Sequence, residues 1–172
     1  MAFVVVLHLS PDHESNLAEI LRRDTDMPVQ EATDECALEP GHIYVIPPQR
    51  EMWMEGSALR LSARSPNHRP NTIDALFDSL AEEHRGRAVG IVLSGTGTDG
   101  TLGLRAIKAR GGIAMVQEPG GAEHEEMPRS ALDTGTVDIV APAGKLAGRL
   151  VAYHRNARVI QLPESGEALP SG

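Results

Sequence analysis

Aromatic residues make up only 3% of this 172-residue chain, so its core has to be built from Val, Leu, Ile, Ala and Met. Cysteine is scarcer still. The single Cys36 excludes an internal disulfide and offers no cysteine-held metal cluster, which suits a reducing compartment. It lies beside Glu35 with no basic neighbour to lower its pKa, so an inert thiol is expected. Positive charge is in deficit: the net charge of −8 argues against nucleic acid or an anionic membrane surface as the main partner, since both need a basic patch. No apolar run approaches membrane-spanning length, and no basic n-region marks a secretory leader at Met1 to Leu9. The expectation is a cytoplasmic protein without membrane insertion.

What is present is a chain of ordinary single-domain size, 41% hydrophobic. Its organising stretch is Ala88 to Gly112. Ala88 to Leu93 is a short β-branched run that suits a strand buried on both faces. It breaks into Ser94-Gly-Thr-Gly-Thr-Asp-Gly100, where the glycines permit a tight turn. Leu102, Leu104, Ala106 and Ile107 then recur at helical spacing, with Thr98 or Asp99 expected to cap the helix and Gly111-Gly112 to stop it.

Strands and helices alternate elsewhere. Ala2 to Leu7 reads as a buried strand ending at His8, and Glu14 to Arg23 as a helix capped by Asp12 or Ser15. Pro28 to Ala32 and Gly41 to Ile46 read as strands, and Met52–Met54 with Ala58–Leu61 as a hairpin around Gly56. Asn71 or Thr72 is expected to cap a helix carrying Ile73, Leu76, Phe77 and Leu80. Ile113 to Val116 is a strand, Gln117 to Glu126 a polar loop, Met127 to Leu132 a helix, Val137 to Val140 a strand and Gly144 to His154 a closing helix. Gln161 to Gly172 is rich in Pro, Ser, Gly and Glu and reads as a tail or interdomain linker. The pattern predicts an α/β fold with a doubly wound, mostly parallel sheet, Rossmann-like and three-layered, with a small antiparallel hairpin.

In such folds functional side chains gather at strand C-termini, and two polar candidates lie there, His8 and Asp99. Each has a plainer reading: a surface-loop histidine for His8, a helix N-cap for Asp99. Together they match the supporting half of a Ser-His-Asp hydrolase, in which the imidazole takes the nucleophile's proton. The glycine turn has a rival reading as a phosphate cradle, but it lacks the Lys of a P-loop, departs from G-x-G-x-x-G, and places Asp99 where it would repel the anion. A phosphate-binding domain would show a ligand-dependent rise in Tm. Asp12, His13 and Glu14, adjacent in sequence, point in different directions and make a weak metal site.

The run Leu93-Ser-Gly-Thr-Gly-Thr-Asp-Gly-Thr-Leu-Gly-Leu-Arg-Ala-Ile-Lys108 closely resembles the chemotaxis protein-glutamate methylesterase domain, the CheB family. Gln117-Glu-Pro119, Met127-Pro-Arg-Ser-Ala-Leu132 and Gly135-Thr-Val-Asp138 extend the resemblance. So do Val4 to Leu9, Gly41 to Pro48, and His68 to Phe77. It covers about residues 2 to 155, placing an α/β domain at 1–155 and the tail or linker at 156–172. Thr96, where chemotaxis enzymes usually carry Met, is similar to the subclass at the head of methylesterase–methyltransferase fusion proteins.

The resemblance implies hydrolysis of glutamyl methyl esters on chemoreceptor helices, with a related deamidation of glutamine, and implies no metal and no cofactor. It assigns His8 as base and Asp99 as its partner, with Ser94, Gly95, Thr96, Gly97, Thr98, Met127 and Pro128 as candidate lining. The implied partners are a methylated chemoreceptor-like protein and a fused or associated methyltransferase domain. In the family the nucleophilic Ser lies in a Gly-x-Ser-x-Gly-Gly turn after a strand that precedes the His-bearing one, and this chain starts after that point. The expectation is therefore a domain without its first strand and helix, without an identified nucleophile, and inactive in the form given. It would self-associate or shift strands to close the gap. Ser94 is the one serine near the expected site, with turn-shaping residue and substitute nucleophile as its two readings. A non-catalytic receptor- or partner-binding module is the alternative.

Overall fold

Side chains of the first strand, β1 (Phe3–Val5), and its extension alternate between two helical layers. Phe3 and Val5 pack toward α1 (Leu17–Asp24), while Val4 and Val6 pack toward α2 (Thr72–His84). This is the signature of a strand covered on both faces. The computed structural model describes residues 1–7, 16–63 and 71–159, with 157–159 by their backbone alone.

β1 pairs in parallel with β4 (Ile43–Val45), which pairs in parallel with β2 (Val29–Glu31); Ile43 lies opposite both Phe3 and Val29. A second parallel sheet runs β7 (Val89–Val92), β8 (Ile113–Gln117), β9 (Ile139–Ala141), with Val89 opposite Ile113 and Met115 opposite Ile139. The expected hairpin is β5 (Arg50–Glu55) with β6 (Ala58–Ala63), antiparallel, and a short strand the periodicity did not reveal, β3 (Cys36–Ala37), pairs with β6. Across the sheets, α1 covers Val29, Ile43 and Val45, and α5 (Ala143–Val159) covers Met115 and Ala141 through Leu146 and Leu150. The opposite layer is α2, α3 (Thr101–Ala109) and α4 (Glu126–Asp133). Among the described residues no helix is long and apolar enough to cross a membrane.

The α/β, three-layer, mostly parallel architecture is as expected, but the sheet is divided. Among the described residues β1 forms its ladder with β4 and β7 with β8, and β1 and β7 share none. They are joined by side chains instead. Phe3 packs on the cluster of Met115, Leu146 and Leu150 that also receives Val89 and Ile91, and Val6 packs on that of Val92 and Leu104. Dispersion and burial bridge the two sheets where hydrogen bonds do not.

The expected stop of α3 is a complete Schellman motif. Gly111 turns left-handed at φ +84°, its N–H donates to Lys108 O (3.0 Å), and Gly112 N–H donates to Ile107 O (2.9 Å). The same helix approaches α2 so closely that Gly103 rests on the backbone of Asp74. A Cβ at Gly103 would lie 2.5 Å from Phe77 Cβ and 2.9 Å from Asp74 O. Gly103→Ala is expected to lower stability by about 1–3 kcal/mol through overpacking. Gly148→Ala in α5, where an added Cβ meets nothing within 4 Å, should raise it by about 0.5–1 kcal/mol. Urea unfolding of the two variants checks both signs.

Candidate functional site

At the C-terminal end of β7 the chain leaves the sheet as an exposed turn, Ser94 to Thr98, which is stitched along its length to the segment before and at the start of α4. Ser94 N–H donates to Gln117 Oε1 (2.9 Å), and Gln117, 6% exposed, passes the bond on from Nε2 to Gly121 O (3.2 Å). Ser94 Oγ accepts the N–H of His124 (2.9 Å). Gly95 N–H donates to His124 O and Gly95 O accepts from Met127 N–H, both at 3.0 Å. Gly97 N–H donates to Glu126 Oε2 (2.8 Å). Two glycines suit the geometry: a Cβ on Gly95 would meet Met127 Sδ at 2.3 Å and displace that side chain, and Gly97 has φ +81°.

These contacts locate the candidate residues. Ser94 shapes the turn, its hydroxyl serving as acceptor for a backbone amide. Thr96, Gly97 and Thr98 are exposed on the crest. Met127 is buried beneath Gly95, and Pro128 is fully buried in α4. His8 lies outside the described residues, as do Asp12, His13, Glu14 and Ser15. Among the described residues no group of three His, Cys, Asp or Glu is disposed to hold a metal ion.

Asp99 does not do what its place in the sequence suggests. Instead of capping α3, its carboxylate caps α2: Oδ2 accepts Ile73 N–H (3.1 Å) and Oδ1 accepts Asp74 N–H (2.9 Å). The expected caps Asn71 and Thr72 are thereby corrected, since Asn71 occupies the N-cap position without a side-chain cap bond. The reason is Gly100. It takes the N-cap position of α3 with φ +91°, and this left-handed step turns the preceding carboxylate away from α3. The vacated duty passes to Asp74, whose Oδ1 accepts Gly103 N–H (2.7 Å). Each helix start is therefore capped by an aspartate that belongs to the other. Burial pushes the Asp74 carboxyl above the ordinary value, the Asp99 charge pushes it the same way, and N–H groups of Gly103, Gly100 and Leu102 oppose the shift.

The site's supporting residues Asp74, Gln117 and Glu126 are ones the sequence pattern did not single out. Asp74 left a trace, as an acid in the first turn of a helix, where the macrodipole favours it. Gln117 appeared only within the Gln117-Glu-Pro119 motif of the resemblance and Glu126 only as the end of a polar loop, and neither pattern shows a role at the turn, because their partners lie 23 and 29 residues away. Carboxylates already hold amides at the α2 and α3 starts and at Gly97, so the phosphate-cradle reading of the glycine turn loses its footing: an incoming anion would meet fixed negative charge.

A family model described as CheB methylesterase matches residues 1–150. The chain is 40% identical over 157 residues to an uncharacterised 104.1 kDa protein of Rhodobacter capsulatus, covering 91% of this chain and 16% of that protein. It is 31% identical over 156 residues to a putative protein-glutamate methylesterase/protein-glutamine glutaminase of Leptospira interrogans, covering 89% of this chain and 80% of the relative. The crystal structure of the Thermotoga maritima CheB methylesterase catalytic domain superposes with a TM-score of 0.77 at 28% identity, over 87% of this chain and 82% of that one.

The raised Asp74 carboxyl has a consequence for stability. Because the folded state holds that proton more tightly than the unfolded chain, this group's contribution is largest at acid pH. It falls as pH rises from the ordinary carboxylate value through the raised one. Asp74→Asn lacks this loss, so the difference in unfolding free energy should move in the variant's favour across that window. Urea titrations of both proteins at several pH values measure it, and a difference that does not vary with pH would refute the assignment.

Proposed function

Because the chain belongs to the CheB methylesterase family, we propose that it is a domain built to hydrolyse glutamyl methyl esters on the cytoplasmic helices of a methylated chemoreceptor-like protein, with deamidation of glutamine as the related reaction. In this reading it works in the cytoplasm, over residues 1–155, without metal or cofactor. The observation that carries the proposal is the Asp99 carboxylate, held at the C-terminal end of a parallel strand by two backbone N–H bonds. A carboxylate so placed fixes the tautomer of an imidazole and stabilises the imidazolium formed when that ring takes a proton. His8 is that base. A serine Oγ would attack the ester carbonyl while His8 accepts its proton, methanol would leave with that proton, and water would then release glutamate from the acyl-enzyme.

The nucleophile is the finer question. No Gly-x-Ser-x-Gly-Gly turn occurs in the 172 residues, and Ser94 Oγ is engaged by the His124 amide in a role that shapes the turn. We therefore read the 172 residues alone as inactive, needing a Ser-bearing segment from elsewhere. The match to 16% of a 104.1 kDa relative supports a place for this domain within a larger protein; in this reading 156–172 is a linker and a methyltransferase domain the neighbour, as the family resemblance implies. If chemistry has been lost altogether, the same fold serves as a receptor-binding module.

Two experiments test this. Methanol release from a methyl-esterified receptor fragment should be absent with the 172-residue chain and appear when a Gly-x-Ser-x-Gly-Gly segment is supplied upstream. Asp99→Asn should then cost about 10⁴-fold in kcat by leaving the imidazole in the wrong tautomer. Release from the chain alone that disappears in Ser94→Ala would make Ser94 the nucleophile and overturn the assignment. The second concerns association. Among the described residues β1 and β7 have no ladder between them, and Leu7 and Leu93, at their C-terminal ends, are 42% and 49% exposed. Unpaired strand edges favour pairing with another chain. Sedimentation should show a dimer or larger species at micromolar concentration, and a monodisperse monomer would count against self-association.

A further inference from the structure

We propose that Asp74 is the positioning residue for Asp99: its bond to Gly103 closes a ring of backbone and side chain that holds the Asp99 carboxylate in place. The role assigned to Asp99 rests on the functional reading above, whereas the ring itself does not. The ring runs from Asp99 to the amides of Ile73 and Asp74, through the Asp74 side chain to Gly103 N–H, and back along the first turn of α3 to Gly100 and Asp99. It is needed because Asp99 lies between two left-handed glycines, Gly97 at φ +81° and Gly100 at φ +91°. Glycine gives a chain the widest conformational freedom of any residue. Bonds to α4 fix the turn at Gly97, through Glu126, and resume only at Thr101, whose Oγ1 donates to Ser130 Oγ (3.0 Å), so that Asp99 lies between the two anchors. From Thr98 to Gly100 the chain is held by Thr101 N–H to Thr98 O (3.2 Å), by Leu104 N–H to Gly100 O (2.9 Å), by the Gly100 amide facing the Asp74 carboxyl, and by the two Asp99 bonds among others.

What those two bonds contribute to the orientation of Asp99 depends on how well the start of α2 is itself located against α3. Two contacts locate it. One is packing, with Gly103 on the Asp74 backbone and Gly100 against Ile73, where a Cβ would lie 2.9 Å from Ile73 Cγ2. The other is the 2.7 Å bond from Gly103 N–H to Asp74 Oδ1, which is directional where packing is not. The groups facing Asp74 make its role electrostatically conspicuous. Asp99 approaches from the turn, while Glu51 of β5 and Asp78 of α2 share with it an open depression of about 580 Å³, Asp78 lying 3.7 Å from Arg110. From α3, Thr101, Leu102 and Gly103 bring no charged side chain. In these acidic surroundings the Asp74 carboxyl is offset by the amides it accepts, Gly103 N–H first among them.

Amide hydrogen exchange in this chain tests the ring. Asp74→Ala should speed exchange at Ile73 and at residue 74 about tenfold relative to Leu104 and Ile107 inside α3, the scale of a lost cap. Asp74→Asn, whose carbonyl oxygen can still accept Gly103 N–H, should stay within about twofold of wild type, as caps of equal rank do. Asp74→Ser, with a shorter reach, should give the same pattern at smaller amplitude and serves if the alanine variant does not fold. Uniform acceleration through α2 and α3, or none at Ile73, would overturn the proposal. In a form that releases methanol, Asp74→Ala should lower kcat about tenfold with KM unchanged and Asp74→Asn should restore it. If no form releases methanol, the methylesterase reading falls, and the exchange pattern still decides the role of Asp74.

Discussion

Two aspartates exchanged between two helix starts are the constraint on which the candidate site depends. An α-helix leaves its first N–H groups without internal partners, and a side chain from the same turn usually supplies the acceptor. Here Asp99 serves α2 and Asp74 serves α3. The arrangement ties the fold to the site, because the group that satisfies a buried helix end is also the carboxylate proposed to hold the general base. Stability and the proposed function draw on the same two carboxylates. Burial, and after it the neighbouring Asp99 charge, raise the Asp74 carboxyl, and backbone N–H donors offset part of the shift.

The exchange works only because the two helices come closer than side chains normally allow. Gly103 lets the backbone of α3 rest on that of α2, and Gly90 lets Leu104 and Ile107 settle onto β7, where a Cβ would come within 2.7 Å of each. Close approach brings Gly103 N–H within reach of Asp74. Below this layer, Val92, Leu104, Ala114 and Val116 form an apolar floor with few aromatics, joined by Phe77 at its margin. The glycine turn stands on that floor, anchored on its far side by Gln117, His124, Met127 and Glu126.

The division of the sheet fits the same picture. β1, which leads toward His8, and β7, which leads toward Asp99, belong to separate ladders, yet both are covered by the same helical layers. Hydrophobic packing is non-directional and tolerates a seam that backbone hydrogen bonding would not bridge. The relation between β1 and β7 is therefore held by packing, while each strand is held by its own ladder.

Continuous apolar runs and helical spacing determined most of the elements, their order and the α/β class, because these depend on local pattern. Val89–Val92, Thr101–Ala109 and Ile113–Gln117 were legible to within about two residues, and so was the glycine stop of α3. The motif around Ser94 to Gly100 was also enough to raise an Asp-supported hydrolase. The partner of each polar group was decided by tertiary structure alone. Asp99 was expected to cap the helix that follows it, and only the left-handed turn at Gly100 together with the close approach at Gly103 sends its carboxylate to a helix 25 residues away and brings Asp74 back in exchange. Hydrogen bonds of that kind carry no sequence period, since either partner by itself looks like an ordinary exposed acid or an unremarkable backbone amide.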